Sequence, residues 1–299
     1  MSPPPLRTYG RTKARALKPR QAALVDTLLP HLALPAEGAI EIDDLFPSPW
    51  RGEGLGVRVG AANANASPHP PAPSPSRGGG VGLEIGFGGG EHLVAQAAAH
   101  PGARFIGVEP FLNGVASCLR HIEEQLLPLE GEKGDRDGLR APPQEASPQR
   151  SRAAPPQSSL RDDSSPIEGE RARRLNIRLH HGDARDVIAR LPEASLDMVY
   201  ILFPDPWPKA RHHKRRLIQP EFLDALARVL KPSGEVRFAT DWANYAEWTL
   251  EHFVRDARFM WTAERAEDWR KPWPGHVTTR YEAKRLGDCA PVWLRFVRR

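Results

Sequence analysis

The residue types best able to do chemistry crowd into Phe203-Pro204-Asp205-Pro206-Trp207-Pro208-Lys209 and the segment that follows, Ala210-Arg211-His212-His213-Lys214-Arg215-Arg216. One carboxylate, one indole and five cations within 14 residues fit a flat, anionic substrate, because an indole stacks on a base and cations meet phosphates. Prolines 204, 206 and 208 fix φ and remove three backbone donors, so the stretch reads as a rigid loop rather than a continuing helix or central strand. Arg211, Lys214, Arg215 and Arg216 suit phosphate contacts; four or five such contacts give a log–log salt slope of roughly −3 to −5. His212 and His213 are adjacent and cannot face one another on a helix, which argues against a metal between them. The plain alternatives are a turn aspartate at Asp205 and a core indole at Trp207.

Further acids stand at the ends of apolar runs. Leu83-Glu84-Ile85-Gly86-Phe87-Gly88-Gly89-Gly90 reads as a strand, a tight turn and the start of a helix, whose free N–H groups and missing Cβ atoms admit a ligand. By itself that turn serves NAD, S-adenosyl-L-methionine (SAM) or close packing alone. Glu84 favours SAM: a carboxylate there repels a pyrophosphate but can hold the ammonium of SAM's methionine moiety, directly or through water. Glu109 ends a second apolar run, placed either to accept both ribose hydroxyls of a nucleoside or simply to meet solvent. Asp183, after His181-Gly182, is a helix N-cap or a partner for an adenine edge. Asp241, in Thr240-Asp241-Trp242, is an N-cap or a base-edge contact, and Thr279-Arg280-Tyr281-Glu282, which follows a Trp/Pro-rich loop at Trp269 to Pro274, can close over the site. Asp205 then falls where a transferable methyl meets its acceptor. Guanine N7 carries a lone pair and no proton, so such an acceptor needs alignment more than a base. A carboxylate accepting from guanine N1–H and the exocyclic amine supplies that alignment.

These acids need strands to present them. Apolar runs at Val81–Ile85, Arg104–Glu109, Ile177–His180, Leu196–Phe203, Glu235–Thr240 and Val292–Val297 alternate with helical patterns at Glu91–Ala99, Asn113–Leu127, Ala184–Leu191, Gln219–Leu230 and Ala243–Val254. The helix at 219–230 is expected to stop at Lys231-Pro232-Ser233-Gly234. Alternation of this kind predicts a mostly parallel sheet covered on both faces, with right-handed crossovers and ligands at the carboxyl ends of the strands. Residues 1–45 read as a basic arm (Arg7 to Arg20, without an acid) and a helix with Leu24, Leu28, Leu29 and Leu32 on one side. Residues 46–80 and 128–173 are rich in Pro, Gly and Ser without periodicity and are expected to be flexible insertions. The catalytic domain spans 81–299, interrupted by the second of them. Lengthening a surface loop is cheap, about 0.6 kcal/mol per doubling.

The bulk numbers bound the rest. The chain has 299 residues, 40% hydrophobic and 26% charged, enough for a core; 31 prolines and a formal charge of +5 point to loop-rich segments and a polyanionic partner. Cys118 and Cys289 lie far apart with no metal spacing, and no apolar run has the length of a membrane span or the form of a leader. The expectation is a cytoplasmic protein without metal or membrane.

Together, Glu84-Ile85-Gly86-Phe87-Gly88, Phe105-Ile106-Gly107-Val108-Glu109, Phe203 to Lys209, Arg211 to Arg216 and Thr240-Asp241-Trp242 resemble the successive signatures of the bacterial tRNA (guanine-N7-)-methyltransferase family. The Phe-Pro-Asp-Pro-Trp string joined to a basic run is the specific part; the glycine turn is not. The resemblance covers nearly everything outside 46–80 and 128–173. It implies an α/β, Rossmann-like class I methyltransferase fold: a seven-stranded, mostly parallel sheet with helices on both faces and its last strand antiparallel. It also implies SAM as cofactor, tRNA as partner, methylation at N7 of the variable-loop guanosine, and a monomer or weak homodimer. By matching positions, Glu84, Gly86, Gly88, Glu109, Asp183 and Asp205 are implied to bind SAM, with Asp205 also catalytic. Lys209, Asp241, Thr279, Arg280, Tyr281 and Glu282 are implied substrate contacts, and Arg211, His212, His213, Lys214, Arg215 and Arg216 face RNA. The family tends to Thr-Lys-Phe-Glu where this chain has Thr279-Arg280-Tyr281-Glu282, which keeps the charge and the ring. The alternatives are another SAM-dependent methyltransferase, acting on an exocyclic base amine or a protein amide, and a tRNA-binding protein whose catalysis the insertions impair.

Overall fold

All five residues of Val81–Ile85 are buried, as in a strand covered on both faces. In the computed structural model, which describes residues 16–46, 79–127 and 166–299, this strand (β1) lies inside a seven-stranded sheet. Its companions are β2 (Arg104–Glu109), β3 (Ile177–His181), β4 (Leu196–Leu202), β5 (Leu230–Thr240), β6 (Phe259–Trp261) and β7 (Val292–Arg298), in the order β3-β2-β1-β4-β5-β7-β6. The first five strands pair in parallel, and β7 runs antiparallel to both β5 and β6. Strand order reverses between β1 and β4, the switch point where open α/β sheets leave a crevice at the carboxyl ends.

The two faces are covered differently. Leu83, Ile85, Ile106, Val199, Ile201, Val236 and Phe238 pack against α7 (Ala184–Arg190), α8 (Pro220–Val229) and α9 (Ala243–Arg255). On the other side, Phe105, Ile177 and Leu179 pack against α1 (Pro19–Thr27), α4 (Glu91–Ala99) and α5 (Leu112–Leu126). Tyr200, Leu202, Ala239 and Trp293 form a separate cluster, against which Trp273 of the loop after α10 (Glu267–Arg270) packs. Part of the Trp/Pro-rich loop that precedes the expected substrate segment is therefore a cover for the sheet.

Several expectations are corrected. The N-terminal helix divides into α1 and α2 (Leu29–Leu32), because Pro30 supplies no N–H to the turn before it; α3 (Ile42–Leu45) follows. Helix α8 does stop at Val229, but Lys231-Pro232-Ser233-Gly234 lies inside β5 and not in a loop. Leu230 pairs with Leu196, the register shifts before Met198, and Ser233 takes φ 64°, the marks of a bulge that absorbs the proline. β6 carries no sequence signal of its own, being three residues long. Residues 166–173, expected within a flexible segment, form helix α6 (Pro166–Arg173), with Ala172 fully buried. Most of both Pro-rich segments, and residues 7–15 of the basic arm, lie outside the described residues.

Candidate active site

The carboxyl ends of β1 to β4 border a cleft of about 230 Å³ that brings together Gly86, Glu109, Asp183, Phe203, Asp205, Trp207 and Arg215. Gly86 turns away from β1 at φ 70°, a conformation that an L side chain resists. Glu109 is 7% exposed and clamps two loops: Oε2 accepts from Gly88 N–H (2.8 Å) and Oε1 from Phe111 N–H (2.9 Å). Burial still outweighs these two amides and, with Asp205 and Glu84 nearby, pushes its carboxyl up to about 7. Asp183 caps α7, its Oδ1 accepting from Arg185 N–H at 3.0 Å, while Oδ2 is buried with no hydrogen-bond partner. The N-cap role thus uses one oxygen of the side chain and leaves the other without a partner.

Glu84 lies outside the cleft wall. It is 2% exposed, and Oε2 accepts from His92 Nδ1 of α4 at 2.7 Å. The His92 ring sits 5.6 Å from that of His276, whose Nε2 donates to Glu282 at 2.7 Å. A buried file of carboxylate, imidazole, imidazole and carboxylate therefore joins β1 to the Thr279–Glu282 segment. Glu282 also accepts from Thr279 N–H (3.4 Å), and its own N–H donates to Thr279 Oγ1 (3.2 Å). Burial lowers the His276 pKa against the opposing pull of Glu282. Tyr281 lies 6.2 Å from Phe203, ring to ring, and Arg280 projects outward, 3.9 Å from Glu91.

The loop after β4 is strained on both sides of its acid. Phe203 keeps the ladder going, its N–H donating to Ala239 O at 2.8 Å, yet it takes φ 50°, and Trp207 takes φ 44°. Left-handed non-glycine residues cost about 1–3 kcal/mol each and persist only where their surroundings over-determine them. Asp205, between them, is exposed. Trp207 is half-buried, with the Arg215 guanidinium 5.1 Å above its ring and His212 edge-on at 6.0 Å. A 3₁₀ helix, Ala210–Arg215, carries the basic run. Lys209, Arg211 and Lys214 are exposed, whereas Arg216 is 2% exposed and points inward. Burial, then the four cations around it, lowers the pKa of His212, so the positive charge here belongs to Lys and Arg.

Comparison with known proteins gives this geometry a family. A family model described as "Putative methyltransferase" matches residues 80–141 and 159–293. A tRNA (guanine-N(7)-)-methyltransferase of Caulobacter vibrioides is 44% identical over 294 residues, 98% of this chain and 96% of that one. Proteins of the same name from Hyphomonas neptunium (37% identical; 97% of this chain, 99% of that one) and Rhodopseudomonas palustris (39%; 97% and 86%) also match. The chain belongs to the bacterial tRNA (guanine-N7-)-methyltransferase family.

Within this family member the expected site residues outside the basic run of the 3₁₀ helix fall into three places. Gly86, Glu109, Asp183 and Asp205 share the cleft. Glu84 and Glu282 end the buried file beside it, linked through His92 and His276, while Arg280 and Tyr281 of the same segment are exposed. Asp241 is set apart: 3% exposed, with Oδ2 accepting from Gly287 N–H (2.8 Å) and its carbonyl from Cys289 N–H (3.0 Å). It is not the N-cap of α9. Trp242 holds that position, and Asp288 accepts from Ala243 N–H at 2.8 Å. Sequence reasoning passed over His92, His276 and Asp288. No spacing marks them, because each is paired through the fold with a residue at least six positions away. Among the described residues no helix is long and apolar enough to cross a membrane, and no group of three His, Cys, Asp or Glu has a metal-holding arrangement.

Proposed function

We propose that this protein transfers the methyl group of SAM to N7 of the variable-loop guanosine of tRNA. The observation that carries the reading is the single cleft in which Asp205 meets Glu109, Asp183 and the Trp207–Arg215 pair. The residues present fit the cofactor: Asp183 leaves Oδ2 buried and unpaired for an adenine amino group, and Gly86 offers backbone without a Cβ. Glu109, at the β2 end, accepts from ribose hydroxyls. SAM supplies, when bound, a methyl group on a sulfonium centre.

What the chain does is positioning. Asp205 presents an acceptor to guanine N1–H and the exocyclic amine, which orients the base and stabilises its cationic product. No proton leaves N7, so Asp205 need not titrate during turnover. Trp207 gives the base an aromatic neighbour, and Lys209, Arg211 and Lys214 face the phosphates that deliver it. Thr279 to Glu282, docked on Phe203 through Tyr281, borders the base. Its tRNA substrate places the enzyme in the cytoplasm.

The test is incubation of the purified protein with labelled SAM and unmodified tRNA, followed by nucleoside mass spectrometry. Labelled 7-methylguanosine from the variable loop is expected. Label in an exocyclic amine, or none in tRNA at all, defeats the reading.

A further inference from the structure

Arg216 closes a run of cations in which Lys209, Arg211 and Lys214 meet solvent and Arg215 lies over Trp207, yet it is among the largest fully buried side chains of the described residues. The geometry of the run explains the inversion. In a 3₁₀ helix residues three apart share a face, so His213 and Arg216 point the same way while Arg211 and Lys214 point out. His213 packs on Trp248 with ring centroids 5.4 Å apart; the Arg216 guanidinium lies 5.1 Å from the same indole and 4.9 Å from Tyr245. Held between these rings, Arg216 donates from Nε to the carbonyl of Pro206 at 2.9 Å and from Nη2 to Asn244 Oδ1 at 2.7 Å.

We infer that Arg216 is a positioning residue for Asp205 and not a phosphate contact. Pro206 is the neighbour of Asp205, in a segment whose prolines remove backbone donors and whose flanking residues, Phe203 and Trp207, are both left-handed. Such a loop needs an anchor from outside itself. Arg216 ties its middle carbonyl to α9 through a planar group that fits between two rings and donates sideways at the same time. A lysine ammonium cannot reproduce that fit. The run thus divides its labour: outward cations attract RNA, and the last one sets the loop that meets it.

The inference rests on the role given to Asp205 above, and the experiments separate the two. Absence of transfer by the unaltered protein defeats the functional reading; with that transfer established, Arg216→Lys and Arg216→Gln test this one. Both should lower kcat about 10- to 100-fold, the scale of a misplaced reacting group, with the KM for tRNA changed less than threefold. The salt slope of tRNA binding should stay as it is, whereas loss of a true phosphate contact reduces it by roughly 1. A mere loss of folded protein is distinguished by Arg216→Ala: guanidinium at non-denaturing concentration should restore its kcat by refilling the slot, although guanidinium only weakens a destabilised fold. Asn244 is exposed, so Asn244→Ala leaves the core intact while freeing Nη2, and a severalfold lower kcat is expected. A lower salt slope with kcat intact in Arg216→Gln overturns the inference. So does failure of both guanidinium rescue and the Asn244→Ala effect.

Discussion

Asp205 and Glu109 carry the residue-scale predictions. Asp205→Ala should lower kcat about 100-fold or more, because orientation is what its proposed role supplies, while tRNA affinity stays within a few-fold. Steady-state kinetics beside a binding isotherm check both halves. Glu109 titrates at about 7 in the folded protein, well above an ordinary carboxyl. The folded state then holds a proton that the unfolded chain has released, so this group's contribution to stability is full below the ordinary carboxyl range and is lost as pH rises toward 7. Cofactor binding through the proposed Glu109 contact has the opposite sign, since ribose hydroxyls would donate to the ionised form. SAM affinity should rise as pH rises through about 7, with proton release visible by calorimetry in buffers of different ionisation heat; Glu109→Gln should flatten that dependence. The strand-end acids were legible because each follows an apolar run whose end the sequence marks. Arg216 was not, since composition cannot tell the inward member of a basic run from the outward ones. Only its three-residue offset from His213, with Trp248 opposite, carries that information.

Among elements, the 3₁₀ helix and the loop after α10 do separate work. Lys214→Ala, on the exposed side of the helix, should reduce the salt slope of tRNA binding by about 1 without changing SAM affinity. His276→Ala removes the donor to Glu282 and a ring 4.5 Å from Trp293. A cost of about 1–3 kcal/mol is expected, read as a lower denaturant midpoint, with faster amide exchange confined to residues near 273–284. The sequence marked this loop by its Trp and Pro content but not its attachment, which runs through histidines on two distant elements. The central strands were legible almost to the residue, since burial on both faces leaves continuous apolar runs. β5 was not, because a proline that reads as a stop is absorbed by a bulge.

The whole molecule shows where local reading gives way. Parallel strands with helices between them follow from alternation, and the antiparallel last strand followed from the family resemblance, but its place between β5 and β6 was not foreseen, as no local pattern fixes which neighbours an antiparallel strand takes. The family model also leaves residues 142–158 unmatched between its two parts. Deleting them should leave turnover unchanged within twofold and the melting temperature within a few degrees, since shortening the connection between α5 and α6 alters closure entropy by only about 0.6 kcal/mol per halving. One buried atom offers a measure of time. Cys118 is fully buried in α5, close enough to the Gly86–Gly90 turn that a Cβ on Gly90 would lie 2.4 Å from its sulfur. Burial also raises its thiol pKa, so a disulfide reagent must wait for the turn and helix to part. Cys289, half-buried, provides the faster phase against which to read it. The slow phase is a built-in clock for parting of α5 from the Gly86–Gly90 turn. SAM at 100 times its Kd should slow that clock about 100-fold, if opening and binding exclude each other.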